Sequence, residues 1–153
     1  MTVPKHPAGT YVGLYGSTGG QWRQRCKHLL DAASIPWHDP SDPRWDSITH
    51  ENGDDHQELI DRLVAEEYEA LRGAQCVIFH LAGGADPPAS LAARSELGWL
   101  AGSGIETFVH VDGNARGRNY VGAVVKLYPH LVSCSTLEDA IQASGKVMGN
   151  AKR

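Results

Sequence analysis

The chain has 153 residues, 41% of them hydrophobic, with a formal charge of −4 and a pI near 6.0. That length suits one ordinary domain with a sizeable core, and the acidic balance excludes the basic surface that a nucleic-acid polymer or an anionic membrane needs. No run approaches the ~20 apolar residues of a membrane span, and the first apolar run, Tyr11 to Tyr15, lacks the basic flank and cleavage site of a signal peptide. A cytoplasmic protein that binds a small solvated molecule is therefore expected.

Along the chain, apolar runs alternate with helical periods. TYVGLYG (Thr10 to Gly16) reads as a buried strand, after which Trp22, Cys26, Leu29, Leu30 and Ala33 repeat at helical spacing. SIPWH predicts a short second strand that Pro36 pushes toward a sheet edge. The segment from His38 to His56, rich in Asp, Pro and Gly, fits neither period and is too long for a plain connector. It is expected to act as a lid, with Trp45 available to stack on a planar ligand. ELIDRLVAEEYEAL then reads as a helix, QCVIFHLAG as a third strand, and SLAARSELGWLAG as a helix closed by Gly102. ETFVHVDG and HLVSCS give the fourth and fifth strands, and a final helix runs from Leu137 to about Met148.

Strands alternating with helices imply a parallel sheet covered on both faces. The expected architecture is α/β: a single flavodoxin-like or Rossmann-like doubly wound domain over residues 1–153, its core spanning about 10–148, with a five-stranded parallel sheet. Ligands of such sheets bind outside the carboxyl ends of the strands, near the topological switch point. That edge carries Gly16 to Gly20, His38 to Pro40, His80 to Pro88 and Asp112 to Asn119.

Two features of this edge suggest chemistry. YGSTGGQW (Tyr15 to Trp22) follows a strand and opens a helix, so the backbone N–H groups of small residues there can approach an anion at the positive helix end. Ser17 and Thr18 add hydroxyls and Arg23 lies in the first turn. The loop is neither GxGxxG nor Walker A, and a tight turn with Ser17 as helix cap accounts for it equally well. The second feature is Glu96, which shares a helix face with Ala89, Ala92, Ala93, Trp99 and Leu100, all within about 60° of it on a helical wheel, while Arg94 points away. A carboxylate facing a core is costly unless it is paired or faces a ligand cavity. Glu67 repeats the pattern, lying within a stripe of Ile60, Leu63, Val64 and Leu71, whereas Glu66 and Glu69 fall outside it and are expected to be solvated. Its alternative is a stripe edge or a pair with Arg72.

Other chemistries have little support. The eight histidines show no HxxxH or HExxH spacing, so no metal and no cofactor are expected, and His38 and His80 can simply cap strand ends. No GxSxG elbow is present. Cys26, Cys76 and Cys134, odd in number and without CxxC spacing, read as reduced structural thiols.

YGSTGG after the first strand, HDP after the second, Glu67 four residues before Leu71, and SLAARSELG together resemble the nucleoside 2-deoxyribosyltransferase-like superfamily over Tyr11 to about Leu131. The most specific piece is Ser90 with Glu96, followed by Leu97 and Gly98. The resemblance implies a flavodoxin-like homo-oligomer, dimeric or higher, that cleaves the N-glycosidic bond of nucleosides or their 5′-monophosphates, with Glu96 as nucleophile on the anomeric carbon. Ser90 and Ser17 match phosphate-holding serines of the monophosphate N-glycosidase branch, with the backbone of Gly16, Thr18, Gly19 and Gly20 around the same group. Glu67 stands where the family usually has an aspartate near base and sugar, and Asn119 is similar to a residue reaching a neighbouring subunit's site. Departures are Ala92, Arg94 and Ser95, where the family often has glycines and an aromatic residue. The leaving base needs a proton, which Glu67 or Asp39 could supply if its pKa is raised. Two other readings stand beside this one: a TIR-like NAD glycohydrolase, which also places a glutamate on a helix of such a domain, and a module that binds a nucleotide without cleaving it.

Overall fold

Runs rich in Val, Ile, Tyr and Phe favour extended backbone that can be buried on both faces. In the computed structural model, which describes residues 3–18, 21–49, 51–84 and 90–150 (for 90 and 91 the backbone only), such runs form β1 (Val12–Gly16), β2 (Trp37–His38), β3 (Cys76–Leu81), β4 (Thr107–Val111) and β5 (Leu131–Ser133). All neighbours pair in parallel, in the order β2-β1-β3-β4-β5. This is the flavodoxin-like order, with its switch point between β1 and β3.

Helices α1 (Trp22–Ala32), α2 (Gln57–Gly73), α3 (Ser90–Ser103), α4 (Arg118–Leu127) and α5 (Leu137–Asn150) cover both faces. The two-residue alternation of each strand sorts its side chains between two cores. Tyr15, Val77, Phe79 and Val109 pack with Leu71 of α2, Leu97 and Leu100 of α3 and Val121 of α4. On the other face Val12, Leu14, Cys76, Ile78 and Phe108 meet Cys26 and Leu30 of α1 and Ile141 and Met148 of α5. Burial pushes the thiols of Cys26 and Cys76 up to about 12, as suits inert core groups. No helix among the described residues is long and apolar enough to cross a membrane.

β2 lies at the sheet edge, as Pro36 predicts: the Pro36 carbonyl accepts from the Val12 N–H at 2.9 Å, while Pro36 itself has no N–H to offer. Sequence periodicity missed α4. Its helical residues include Gly122 and the β-branched Val121, Val124 and Val125, all weak helix formers. The parallel crossover from β4 to β5 nevertheless requires a covering element.

The long segment after β2 carries two single 3₁₀ turns, Pro43–Ser47 and Asp54–His56. Asp42 caps the first by accepting from the Arg44 N–H at 2.9 Å. The Arg44 guanidinium reaches both the Asp42 and the Glu66 carboxylates at 2.8 Å, tying this segment to α2. Glu66 is thus a half-buried ion-pair partner and not the solvated residue the wheel suggests. Trp45 is half-buried in the same turn.

Candidate functional site

The site is built around the carboxyl end of β1. Gly16 ends the strand with φ +121°, in a region that L side chains rarely adopt. An added Cβ would lie 2.1 Å from the His80 carbonyl oxygen. Space and dihedral both require glycine, so Gly16→Ala is expected to cost about 3 kcal/mol or more. Thermal unfolding should register a fall in Tm of roughly 10 °C.

The Gly16 N–H donates to Glu96 Oε2 at 3.1 Å. Glu96 lies on the face of α3 that buries Ala93, Leu97 and Leu100, and is itself only 4% exposed. The wheel's placement of Glu96 inside and Arg94 outside therefore matches the structure, although Ala92 is exposed. Burial first, and then a hydrogen bond and charge from Glu67, push the Glu96 carboxyl well above the usual range. Arg23 and the Gly16 N–H pull the other way without offsetting this. Burial thus favours the protonated form of Glu96, the form that can donate to Glu67.

Glu67 is half-buried on α2, whose inner stripe is Leu63, Ala70 and Leu71; Val64, expected within it, is 40% exposed. Arg72 pairs with Glu69 at 2.6 Å rather than with Glu67, so Glu69 is exposed but not simply solvated. The Tyr15 hydroxyl donates to the Glu67 carbonyl at 3.2 Å. Burial, then the charges of Glu67 and Glu96, hold the Tyr15 phenol far above its ordinary value, so it stays protonated beside the pair. Tyr68 follows the same pattern, its phenol raised by burial and then by Glu96 and Glu67.

Arg23 is the residue whose role the sequence hid. Its Nη1 donates to the Ser17 carbonyl at 2.7 Å, its Nη2 to the Gly16 carbonyl at 3.3 Å and its Nε to the Leu14 carbonyl at 3.4 Å. Its Nε also faces Asp39 Oδ1 at 3.3 Å. Lys27 closes on the other Asp39 oxygen. Burial works to raise the Asp39 pKa, but hydrogen bonds from Lys27 and Ser41 and the charge of Arg23 outweigh it and hold the carboxyl below its ordinary value. The condition under which Asp39 could supply a proton, a raised pKa, is not met: it is an anchored carboxylate.

Ser17 is 2% exposed; its Oγ accepts from the Ala82 N–H at 3.0 Å and its N–H donates to the His80 carbonyl at 2.9 Å. The residue at the N-cap of α1 is Gln21, which corrects the reading of Ser17 as cap. The hydroxyl proton of Ser17 remains able to donate. Thr18 is exposed beside it, and Asn119 is exposed in the first turn of α4. Gly19, Gly20 and the side chain of Ser90 lie outside the described residues, as does Ala89 of the wheel; the Ser90 backbone opens α3. His38 is buried at the end of β2, in edge contact with Tyr11. His80 is also buried, and the structure brings it next to Asp112, which the sequence placed on the ligand edge, and His110, which it did not single out.

Residues 10–114 match the family model described as nucleoside 2-deoxyribosyltransferase like. Comparison with curated protein sequences gives no match. Among solved structures, the chain is similar to the Clostridium botulinum CMP N-glycosidase BcmB, at 14% identity and a TM-score of 0.47 over 88% of this chain and 97% of that one.

Proposed function

From the premise that the chain belongs to the nucleoside 2-deoxyribosyltransferase-like family, we propose that it cleaves the N-glycosidic bond of (2′-deoxy)nucleoside 5′-monophosphates through Glu96. The observation that carries this reading is the buried Glu96 carboxyl held by the Gly16 N–H at the carboxyl end of β1, with half-buried Glu67 beside it, at the switch point where such sheets take ligands.

The chemistry follows from the pair. Bond cleavage develops positive charge on the sugar, which an adjacent carboxylate stabilises or traps. The same step places negative charge on the leaving base, which needs a proton. In the free protein burial keeps the Glu96 carboxyl protonated. In the reaction that proton passes by way of Glu67 to the base, leaving Glu96 ionised to attack the anomeric carbon. The Gly16 N–H holds the attacking carboxylate in place. Water, or a second base, then releases the sugar. Ser17, Ser90 and the backbone around Thr18, Gly19 and Gly20 hold the 5′-phosphate, so binding energy away from the reacting carbon orients the sugar. A homo-oligomer is part of this reading, with Asn119 and the 66% exposed Tyr120 of α4 at the shared surface.

The test is chromatography of base release from a panel of nucleosides, nucleoside 5′-monophosphates and NAD. Release from monophosphates is expected. Nicotinamide released from NAD alone would replace this reading with that of an NAD glycohydrolase, and binding without release would leave a sensing module. Ser17→Ala is expected to raise KM for a monophosphate about tenfold while leaving kcat for a free nucleoside within about twofold. The lost acceptor for the Ala82 N–H should also lower stability by about 1–3 kcal/mol in urea unfolding. A KM that does not move would assign Ser17 to the turn alone.

A further inference from the structure

We propose that His80, His110 and Asp112 form a binding site for a divalent transition-metal cation, on the face of the sheet opposite Glu96. The parallel register sets His80 directly beside His110. By strand alternation both rings project with Ile78 and Phe108 toward α1 and α5, whereas α3 carries Glu96 on the other face. Asp112 follows β4 immediately.

The three side chains gather their ligand atoms in one place. The two Nδ1 atoms face each other at 3.0 Å, with ring planes 11° apart. Asp112 lies 3.7 Å from His80 Nε2 and 3.9 Å from His110 Nδ1. Those two separations are too long for direct hydrogen bonds, yet each is within about half an ångström of the ~3.4 Å between ligands around a tetrahedral ion with bonds of ~2.1 Å. One ligand atom from each residue lies within 4.8 Å of the others, so closures of at most about 1.4 Å complete the set.

The surroundings support a site that retains open positions. Asp112 Oδ2 accepts from the Gly83 N–H at 2.7 Å, which orients the carboxylate. The Trp22 ring lies against His80, with centroids 5.1 Å apart. In front of the three residues is a cleft of about 740 Å³, also lined by Gln24, Thr136 and Glu138. Two imidazoles and one carboxylate suit Zn²⁺, Co²⁺ or Fe²⁺ better than the all-oxygen shells of Ca²⁺ and Mg²⁺. Three protein ligands opening on a cleft leave a position for water or a ligand oxygen.

The experiment uses untagged, chelator-treated protein: calorimetric titration with Zn²⁺, and absorption spectra with Co²⁺. The expected result is one ion per chain at micromolar affinity, with visible Co²⁺ bands. His110→Gln and Asp112→Asn, both at partly exposed positions, are expected to weaken binding tenfold or more each while unfolding cooperatively near the parent Tm. No binding at millimolar Zn²⁺, or binding that neither variant weakens, would overturn the proposal. Neither result bears on Glu96, because the readout is the ion itself.

Discussion

Glu96→Gln is expected to lower base release about 10³-fold or more while making the folded protein more stable, by a margin that grows with pH. Both effects come from one burial. A carboxyl whose folded pKa is raised holds its proton more tightly in the fold than in the unfolded chain, where its value is about 4.3. Its contribution is intact below that value and is lost as pH rises through the folded pKa. Between the two, the parent chain should lose up to about 1.4 kcal/mol per pH unit relative to the variant. Glutamine escapes the penalty: its amide oxygen can take the Gly16 N–H and its amide nitrogen can donate to Glu67. Urea unfolding of both proteins at several values between about pH 4 and 8 tests the stability half. A difference that does not change with pH would mean that Glu96 is ionised in the fold. Base release retained in the variant would remove Glu96 from the nucleophile's role.

That opposition explains why the acid was visible in the sequence. A costly residue in an apolar helix face stands out because local patterning and burial disagree, and such disagreement gathers at functional sites. The strands were legible for the converse reason, since in β1, β3 and β4 hydrophobic run, propensity and burial agree. α4 was not legible, because its valines and Gly122 carry little helical preference and only the crossover topology demands a helix there. The grouping of His80 with His110 was hidden differently. Spacing rules for metal ligands describe one helix or one loop, whereas these residues are thirty apart in sequence and become neighbours only through the β3–β4 register. Arg23 was visible as a cation near a suspected anion site, but the wheel gives direction and not reach. A side chain that long can turn back from its helix onto the end of the preceding strand.

Arg23 therefore carries the second large expectation, which is structural. A guanidinium at 9% exposure that donates to the carbonyls of Leu14, Gly16 and Ser17 and faces Asp39 is held by the strand end it supports. Burial lowers its pKa and the carboxylates of Asp39, Glu96 and Glu67 oppose that shift, so removing it leaves three carbonyls without their donor and Asp39 with Lys27 alone. Arg23→Met is expected to destabilise the fold by about 3–5 kcal/mol, the range for breaking a buried pair from one side, which in a chain of this size lowers Tm by roughly 10 °C or more. Arg23→Lys discriminates structure from charge. An ammonium restores the charge beside Asp39 but cannot present the planar fork that reaches three carbonyls at once, so lysine should recover less than half of the loss. Full recovery by lysine in thermal and urea unfolding would mean that Arg23 acts as a point charge and that the carbonyl contacts contribute little. Failure of both variants, with Asp39→Asn milder than either because Arg23 keeps its three carbonyl acceptors, would place the guanidinium geometry itself among the conditions that fix Gly16 against Glu96.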